Sequence, residues 1–412
     1  MAAADATSGQ LDSSTLLKLI CAGFSFFVAG VNDGSIGALI PHVIRYYGIT
    51  TAIVTGLYGA SFFGWFFAAV TNTHLSQRLG LGAMLAIGAF LQLAAQALRA
   101  WPVPPFGLYV FTFWLTCLGQ AYQDAHANTF VASRQGSTAV HRWLGFIHAM
   151  YMAGCLAGPF AASSIASSGT GSNWWLFYTV PLALGVVNLG LVVAAFRDSI
   201  TVLKPDTGAQ QAEAGMSASA LVNATLKEKS VWLLSLFFFF YLGVVVTASG
   251  WVVEYLVSVR NGNLTQMGYI PAGFSGGALL GRILLPEPTH SWGERRMVFL
   301  YCIFCLVFQL VFWLVPSIIA ASVAISFLGF FSGPFFATAI SVGTKLFPPE
   351  INSTAISFVF VFAQIGGSLF PTVTGVLGAR IGLSVVQPML IGLICAMGIS
   401  WLLVPQPQIK GE

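Results

Sequence analysis

Of 412 residues, 57% are apolar and only 7% are charged, against roughly a quarter charged in soluble domains. So few charges cannot cover the surface of a soluble protein of this length, but they suit a chain whose solvent is mostly lipid. The net charge of +4 is spread thinly and forms no basic stripe, which argues against a nucleic-acid partner.

In chain order, the first seventeen residues are polar and lack a basic-plus-apolar leader, so the first span is expected to act as its own signal. Apolar runs long enough to cross the ~30 Å hydrocarbon layer follow near 18–45, 52–74, 80–99, 106–133, 140–168 and 174–197. A second set lies near 230–258, 264–285, 296–314, 317–344, 350–379 and 383–404. A membrane barrel would alternate apolar and polar residues in segments of ~10. Leu233 to Val246 shows no alternation, so the spans are helices. Between the sets, Asp198 to Lys229 is rich in Pro, Gly, Gln and Ser with four acids, and reads as a flexible linker.

The expected fold is an all-α membrane protein of twelve transmembrane helices in two pseudo-symmetric six-helix bundles. The expected divisions are a cytoplasmic tail 1–17, a bundle 18–197, a cytoplasmic linker 198–229, a bundle 230–404 and a cytoplasmic tail 405–412. With the N-terminus in the cytoplasm, thirteen of the seventeen Lys and Arg fall inside, as the positive-inside rule requires. Only Arg45, Arg99, Arg260 and Arg380 fall outside. The halves also echo one another. Gly154 to Pro159 and Gly366 to Pro371 share their Gly-to-Pro spacing at an offset of 212 residues, and Lys18 and Lys229 are 211 apart. Parallel six-helix repeats give such similarity, and two bundles rocking about a midplane site make an alternating-access transporter.

Three acids fall within spans and away from their cytoplasmic ends: Asp33, Asp124 and Glu254. A carboxylate at membrane depth costs roughly 2.5–3.5 kcal/mol, so it normally faces a cavity and works there. Asp33 is fifteen residues into span one, about 22 Å and close to midplane. Desolvation favours the neutral form of a carboxylic acid, and opening to water favours proton release. Asp33 and Asp124 are therefore the candidate proton-coupling pair; the other reading of each is a strut between helices. Asp124 and Asn128 share a helix face, while His126 points elsewhere. Asn128 and Gln123 in span four, and His148 with Tyr151 in span five, are candidate solute contacts.

Applying the 212 offset maps Asp33 onto Val245, Asp124 onto Phe336, Asn128 onto Ile340 and His148 onto Phe360. The coupling chemistry thus sits in the first half, and the second offers an apolar, aromatic wall. Gln364 is its best polar contact. Glu254 lies near the outer end of span seven, as an outer gate or an interfacial charge. All six cysteines fall inside apolar runs, and Cys302 and Cys305 read as packing residues rather than a metal or redox pair.

Asn32-Asp33-Gly34 with Pro41 resembles the fucose:proton symporter branch of the major facilitator superfamily and its fungal and animal sugar-carrier relatives. Further matches are Asp124 with Asn128, Tyr241-x-Gly243, Gly250-Trp251, Gly273 to Gly277 with Gly281-Arg282, and Gln364 to Pro371. The resemblance runs from Lys18 to Val404. It implies Asp33 and Asp124 as the protonatable pair and adds Asn32 and Trp251 as solute contacts, with Arg78 and Arg282 in gating. Two positions depart from it. Val245 stands where relatives carry Glu or Gln, and Gln77 replaces the acid usual in the loop between spans two and three. Gly145, Gly154, Gly158 and Pro159 match the span-five motif of proton antiporters, with Ala162 in place of its last glycine. Small residues at that spacing also allow close helix packing.

The leading reading is a proton-coupled secondary transporter of a small, amphipathic organic solute, exporting it by antiport. The alternative is a proton-coupled importer of a sugar or polyol. A transporter-shaped receptor is the remote third, disfavoured because the chain ends eight residues after its last span. No His/Asp/Glu cluster offers a metal or nucleophile site, so neither enzymatic activity nor a cofactor is expected. The expected partners are the solute, protons and the lipid bilayer, with the chain monomeric in the plasma membrane and both termini cytoplasmic.

Overall fold

The computed structural model describes residues 12–102, 104–133, 137–168, 173–202 and 218–405. Most of the expected terminal tails, and residues 203–217 of the expected linker, lie outside the described residues. Apart from one isolated bridge between Leu79 and Val202, the described residues hold no strand.

Six long helices make up the first half: α1 Ser13–Tyr47, α2 Gly56–Ser76, α3 Leu81–Arg99, α4 Phe106–Ala132, α5 Ser137–Ala166 and α6 Thr179–Phe196. The second half repeats them with α7 Lys229–Ser258, α8 Ile270–Leu284, α9 Glu294–Leu314, α10 in two pieces (Ile318–Ser332 and Phe335–Leu346), α11 Asn352–Ile381 and α12 Val386–Leu403. These fall where the apolar runs predict spans. Ten helical segments of the described residues are long and apolar enough to cross a membrane. The other two expected spans have plain reasons for falling short. α4 is diluted by Gln120, Gln123, Asp124, His126 and Asn128, and α8 keeps only 15 residues because the chain turns at Gly268 and Tyr269.

Other details differ from the sequence expectation. The end of the linker is a helix, Ala218–Lys227, closed by the Trp232 indole donating to the Leu226 carbonyl at 2.8 Å. α10 breaks at Gly333–Pro334, where proline cannot donate to the preceding turn. α1 stops at Gly48, whose φ of 61° lets its N–H reach back to the Ile44 carbonyl.

One glycine seam fixes each half. A Cβ at Gly154 of α5 would lie 2.1 Å from the Phe27 carbonyl oxygen of α1, so only glycine lets these backbones touch. A Cβ at Gly366 of α11 would lie 1.9 Å from the Phe239 carbonyl of α7. Both members of the second pair sit 212 positions after their counterparts. The internal echo is therefore a repeated backbone contact.

The halves meet most tightly at one end. Thr51 donates to the Gly375 carbonyl of α11 at 2.8 Å, and the Ser164 and Tyr269 hydroxyls are 3.1 Å apart. A Cβ at Gly37 of α1 would lie 2.0 Å from the Ser249 carbonyl of α7. The participating residues come from the C-terminal parts of α1, α5, α7 and α11 and the approaches to α2 and α8. That end of the molecule is shut.

Candidate solute and proton site

Asn32 and Asp33 sit in the middle of α1, against α3, α4 and α5. The Asp33 carboxylate is enclosed by donors. Asn32 Nδ2 reaches Oδ1 at 3.0 Å, while Gln120 Nε2 at 2.8 Å and the Tyr151 hydroxyl at 2.9 Å share Oδ2. Asn32 in turn accepts from Arg99 Nη1 at 2.7 Å and from Gln96 Nε2 at 3.0 Å. Arg99 and Asp33 are thus joined through one amide.

Arg99, which the sequence reading counts among the outer-side charges, is not a solvated residue. It is 0% exposed, at the last position of α3. Its Nε donates to Thr112 at 2.7 Å, and its guanidinium lies 4.0 Å from the Phe113 ring centroid and 5.3 Å from that of Tyr178. A buried cation is tolerated when hydrogen bonds and aromatic faces replace water. Nη2 remains without a partner. The sequence carried a signal: Arg99 runs into Ala100-Trp101-Pro102-Val103-Pro104-Pro105, an apolar stretch unlike a solvated loop. Gln92 and Gln96, four apart, and Gln120 and Gln123, three apart, likewise mark polar helix faces that meet inside the bundle.

The other predicted residues fall in several places. Asn128 donates to the Asp124 carbonyl at 2.9 Å and to its carboxylate at 3.2 Å, so the two form a local pair on α4. Gln123 is 3% exposed. It accepts from Gln92 at 2.7 Å and from Asn188 at 3.3 Å, in a cluster inside the first half rather than on a face a solute could reach. Trp251 is 0% exposed and donates to the Pro371 carbonyl at 3.0 Å; it ties α7 to α11. Tyr151 serves Asp33, as described. Arg78 is exposed after α2 and has no ion pair among the described residues.

Glu254 is 8% exposed at the shut end. It lines a depression of about 680 Å³ with Thr50, Thr51, Ser258 and Leu383. One carboxylate oxygen accepts from Ser258 at 2.5 Å, and the other has no partner.

Facing the Asp33 side, the second half presents rings. Phe336 stacks on Phe360 at 5.5 Å between centroids and meets Phe238 at 5.7 Å. Across the two halves His148 approaches Phe336 at 5.4 Å, and Phe26 closes the other edge of His148 at 5.3 Å. Val245, Phe336, Phe360 and Gln364 are all half-buried, and Gln364 has no hydrogen-bond partner among the described residues. No group of three or more His, Cys, Asp or Glu that could hold a metal occurs among the described residues.

The Major Facilitator Superfamily profile matches residues 22–371. The chain belongs to that superfamily. It is therefore a membrane transporter rather than an enzyme, which accords with the fold and the intramembrane polar groups. It is 25% identical to Bypass of stop codon protein 6 of Saccharomyces cerevisiae over 425 aligned positions, covering 96% of this chain and 84% of that protein. Among solved structures, it resembles the nucleoside transporter NupG with a TM-score of 0.74 at 13% identity, covering 95% of this chain and 100% of that one. A bacterial homolog of the human lysosomal transporter Spinster, inward-facing and unoccupied, gives a TM-score of 0.72 at 12% identity over 96% and 95% of the two chains. The E. coli fucose:proton symporter FucP gives 0.68 at 17% identity over 95% and 100%. Identities this low establish the shared fold alone.

Proposed function

We propose that this chain is a proton-coupled secondary transporter of an amphipathic organic solute, with Asp33 as the principal proton carrier and Asp124 as the second. One observation carries the reading. A carboxylate near the middle of a membrane helix is held by three neutral donors, and one of them, Tyr151, is a turn from the His148 that meets Phe336 of the other half. Rocking of the bundles 18–197 and 230–404 would alternate this group between a dry interior and water. The FucP neighbour, a fucose:proton symporter by name, makes proton coupling a natural extension of the fold.

The same wall argues against a free hexose as the solute. Val245, Phe336 and Phe360 offer no hydrogen bonds, and a buried hydroxyl left unpaired costs about 1–3 kcal/mol. An apolar body gains roughly 25 cal/mol per Å² buried there. The span-five glycines lend export little weight, since Gly154 and Gly158 are accounted for by their contacts with the Phe27 and Val31 carbonyls of α1. With both termini cytoplasmic, the shut end is the outer one and the chain is inward-facing; Glu254 then belongs to the outer gate.

The test is a solute screen in proteoliposomes under an imposed pH gradient, with Asp33→Asn alongside. Asp33→Asn is expected to abolish accumulation against a gradient while leaving solute exchange, which needs no net proton movement. Undiminished pH-driven accumulation by the variant would make Asp33 a strut.

A further inference from the structure

We infer that Arg282 is an anion anchor on the wall of the second half, and that the solute is an organic monoanion, a carboxylate on an apolar body. The inference rests on the reading of that wall as the solute face, and it replaces the gating role that the resemblance implied for Arg282.

Arg282 of α8 is half-buried. Its guanidinium carbon lies 5.9 Å from the Phe336 ring centroid, and Phe336 is the ring that meets His148 from the opposite half. The Tyr241 hydroxyl is a hydrogen-bonding neighbour of the guanidinium. Tyr151 of α5 holds Asp33 and His148, a turn before it, meets Phe336, so the acid of one half and the ring beside Arg282 flank the same helix.

What marks Arg282 is that no acid partners it among the described residues. The two ion pairs among the described residues are Arg197 with Asp198 and Lys345 with Glu294; neither involves it. Its Nε is buried without a hydrogen bond. Other arginines in this chain have acceptors, although Nη2 of Arg99 is also unmet. Arg260 donates to the Phe312, Trp313 and Val315 carbonyls, Arg295 to the Leu402 carbonyl, and Arg99 to Asn32 and Thr112. A partly buried guanidinium with an unmet donor is costly unless an anion visits it.

The chemistry of that anion follows from the surroundings. A guanidinium presents a planar fork of donors that matches a carboxylate. One cation, with Asp33 and Asp124 in the opposite half, suits a single negative charge better than the two of a phosphate monoester. The half-buried rings of Phe336 and Phe360 then receive an aliphatic or aromatic body.

The test is binding by purified protein without any pH gradient, comparing hexanoate, octanoate and phenylbutyrate with their amides. The wild type is expected to bind the acids roughly ten- to a hundredfold tighter than the amides. Arg282→Gln should remove that preference and leave amide affinity unchanged, and Arg282→Lys should keep part of it. Equal binding of acid and amide by the wild type would overturn the inference. So would a preference that survives Arg282→Gln, as expected if the side chain only reaches for lipid headgroups, or binding of none of the acids. The wild-type comparison decides even if the variants fail to fold. Because no gradient is used, failure of proton coupling at Asp33 leaves this result standing, and the reverse also holds.

Discussion

Gly37 offers a way to open the shut end by one methyl group. A Cβ there would lie 2.0 Å from the Ser249 carbonyl oxygen, whereas ordinary van der Waals contact begins near 3.4 Å. Gly37→Ala therefore requires α1 and α7 to separate by roughly 1.4 Å, and no rotamer change relieves a clash with backbone. These helices belong to opposite halves, so the separation takes the form of rocking rather than a defect within one bundle. Overpacking of this kind costs about 1–3 kcal/mol, and because the cost falls on the shut conformation alone it shifts the balance toward opening by about five- to 150-fold. The assay is a spin-label distance between Tyr46, at the end of α1, and Ile381, at the end of α11, both exposed. Cys395, the exposed native cysteine, is replaced first. The distance distribution should gain a longer component in Gly37→Ala. Gly154→Ala, which clashes at 2.1 Å with the Phe27 carbonyl within one half, should lower thermal stability without lengthening that distance. An unchanged distribution in a Gly37→Ala protein as stable as wild type would refute the reasoning.

Three further outcomes are expected. Asn32→Leu removes the oxygen that accepts from both Arg99 and Gln96, leaving a buried cation short of a partner; thermal unfolding should show a loss of about 3–5 kcal/mol, and a loss below 1 kcal/mol would mean that water replaces the amide. In competition binding, free hexoses should displace an amphipathic solute poorly, and Val245→Glu should improve hexose binding; tight hexose binding by wild type that Val245→Glu weakens would restore the sugar importer. A cysteine introduced at Gln210 should react with an impermeant reagent only in permeabilised cells, and reaction in intact cells would reverse the expected orientation.

Helix placement was legible because hydropathy over some twenty residues is a strong, local signal. The one marked discrepancy, α8, arose where Gly268 and Tyr269 turn the chain without any loss of apolarity. Asp33 was legible for a similar reason, since an acid deep in an apolar run has few ordinary explanations. Its partners, and those of Asn32 beside it, were not. Gln96, Arg99, Gln120 and Tyr151 come from three other helices, and which glutamine faces which neighbour depends on helix rotation, which this chain's weak amphipathicity leaves undetermined. Gln123 shows the cost: it is one residue from Asp124, yet it points into the bundle. Trp251 likewise sits in a solute-like position along the chain but turns its indole toward Pro371.

The burial of Arg99 has a consequence for how the protein is made. α3 ends on this arginine after a run of only 19 residues, and no acid on α3 itself can neutralise it. A lone α3 entering the bilayer would hold that end at the headgroups, because drawing an unpaired arginine to mid-depth costs about 2.5–3.5 kcal/mol even on the lenient scale. It can settle only after α1 supplies Asn32 and α4 supplies Thr112 and Phe113. α4 is synthesised after α3, so the helix must wait for a neighbour that does not yet exist. Final seating of α3 thus reports that three helices have assembled, and a chain damaged in α1 or α4 would leave an arginine-bearing helix end stranded at the membrane surface, where a cell's quality control could recognise it.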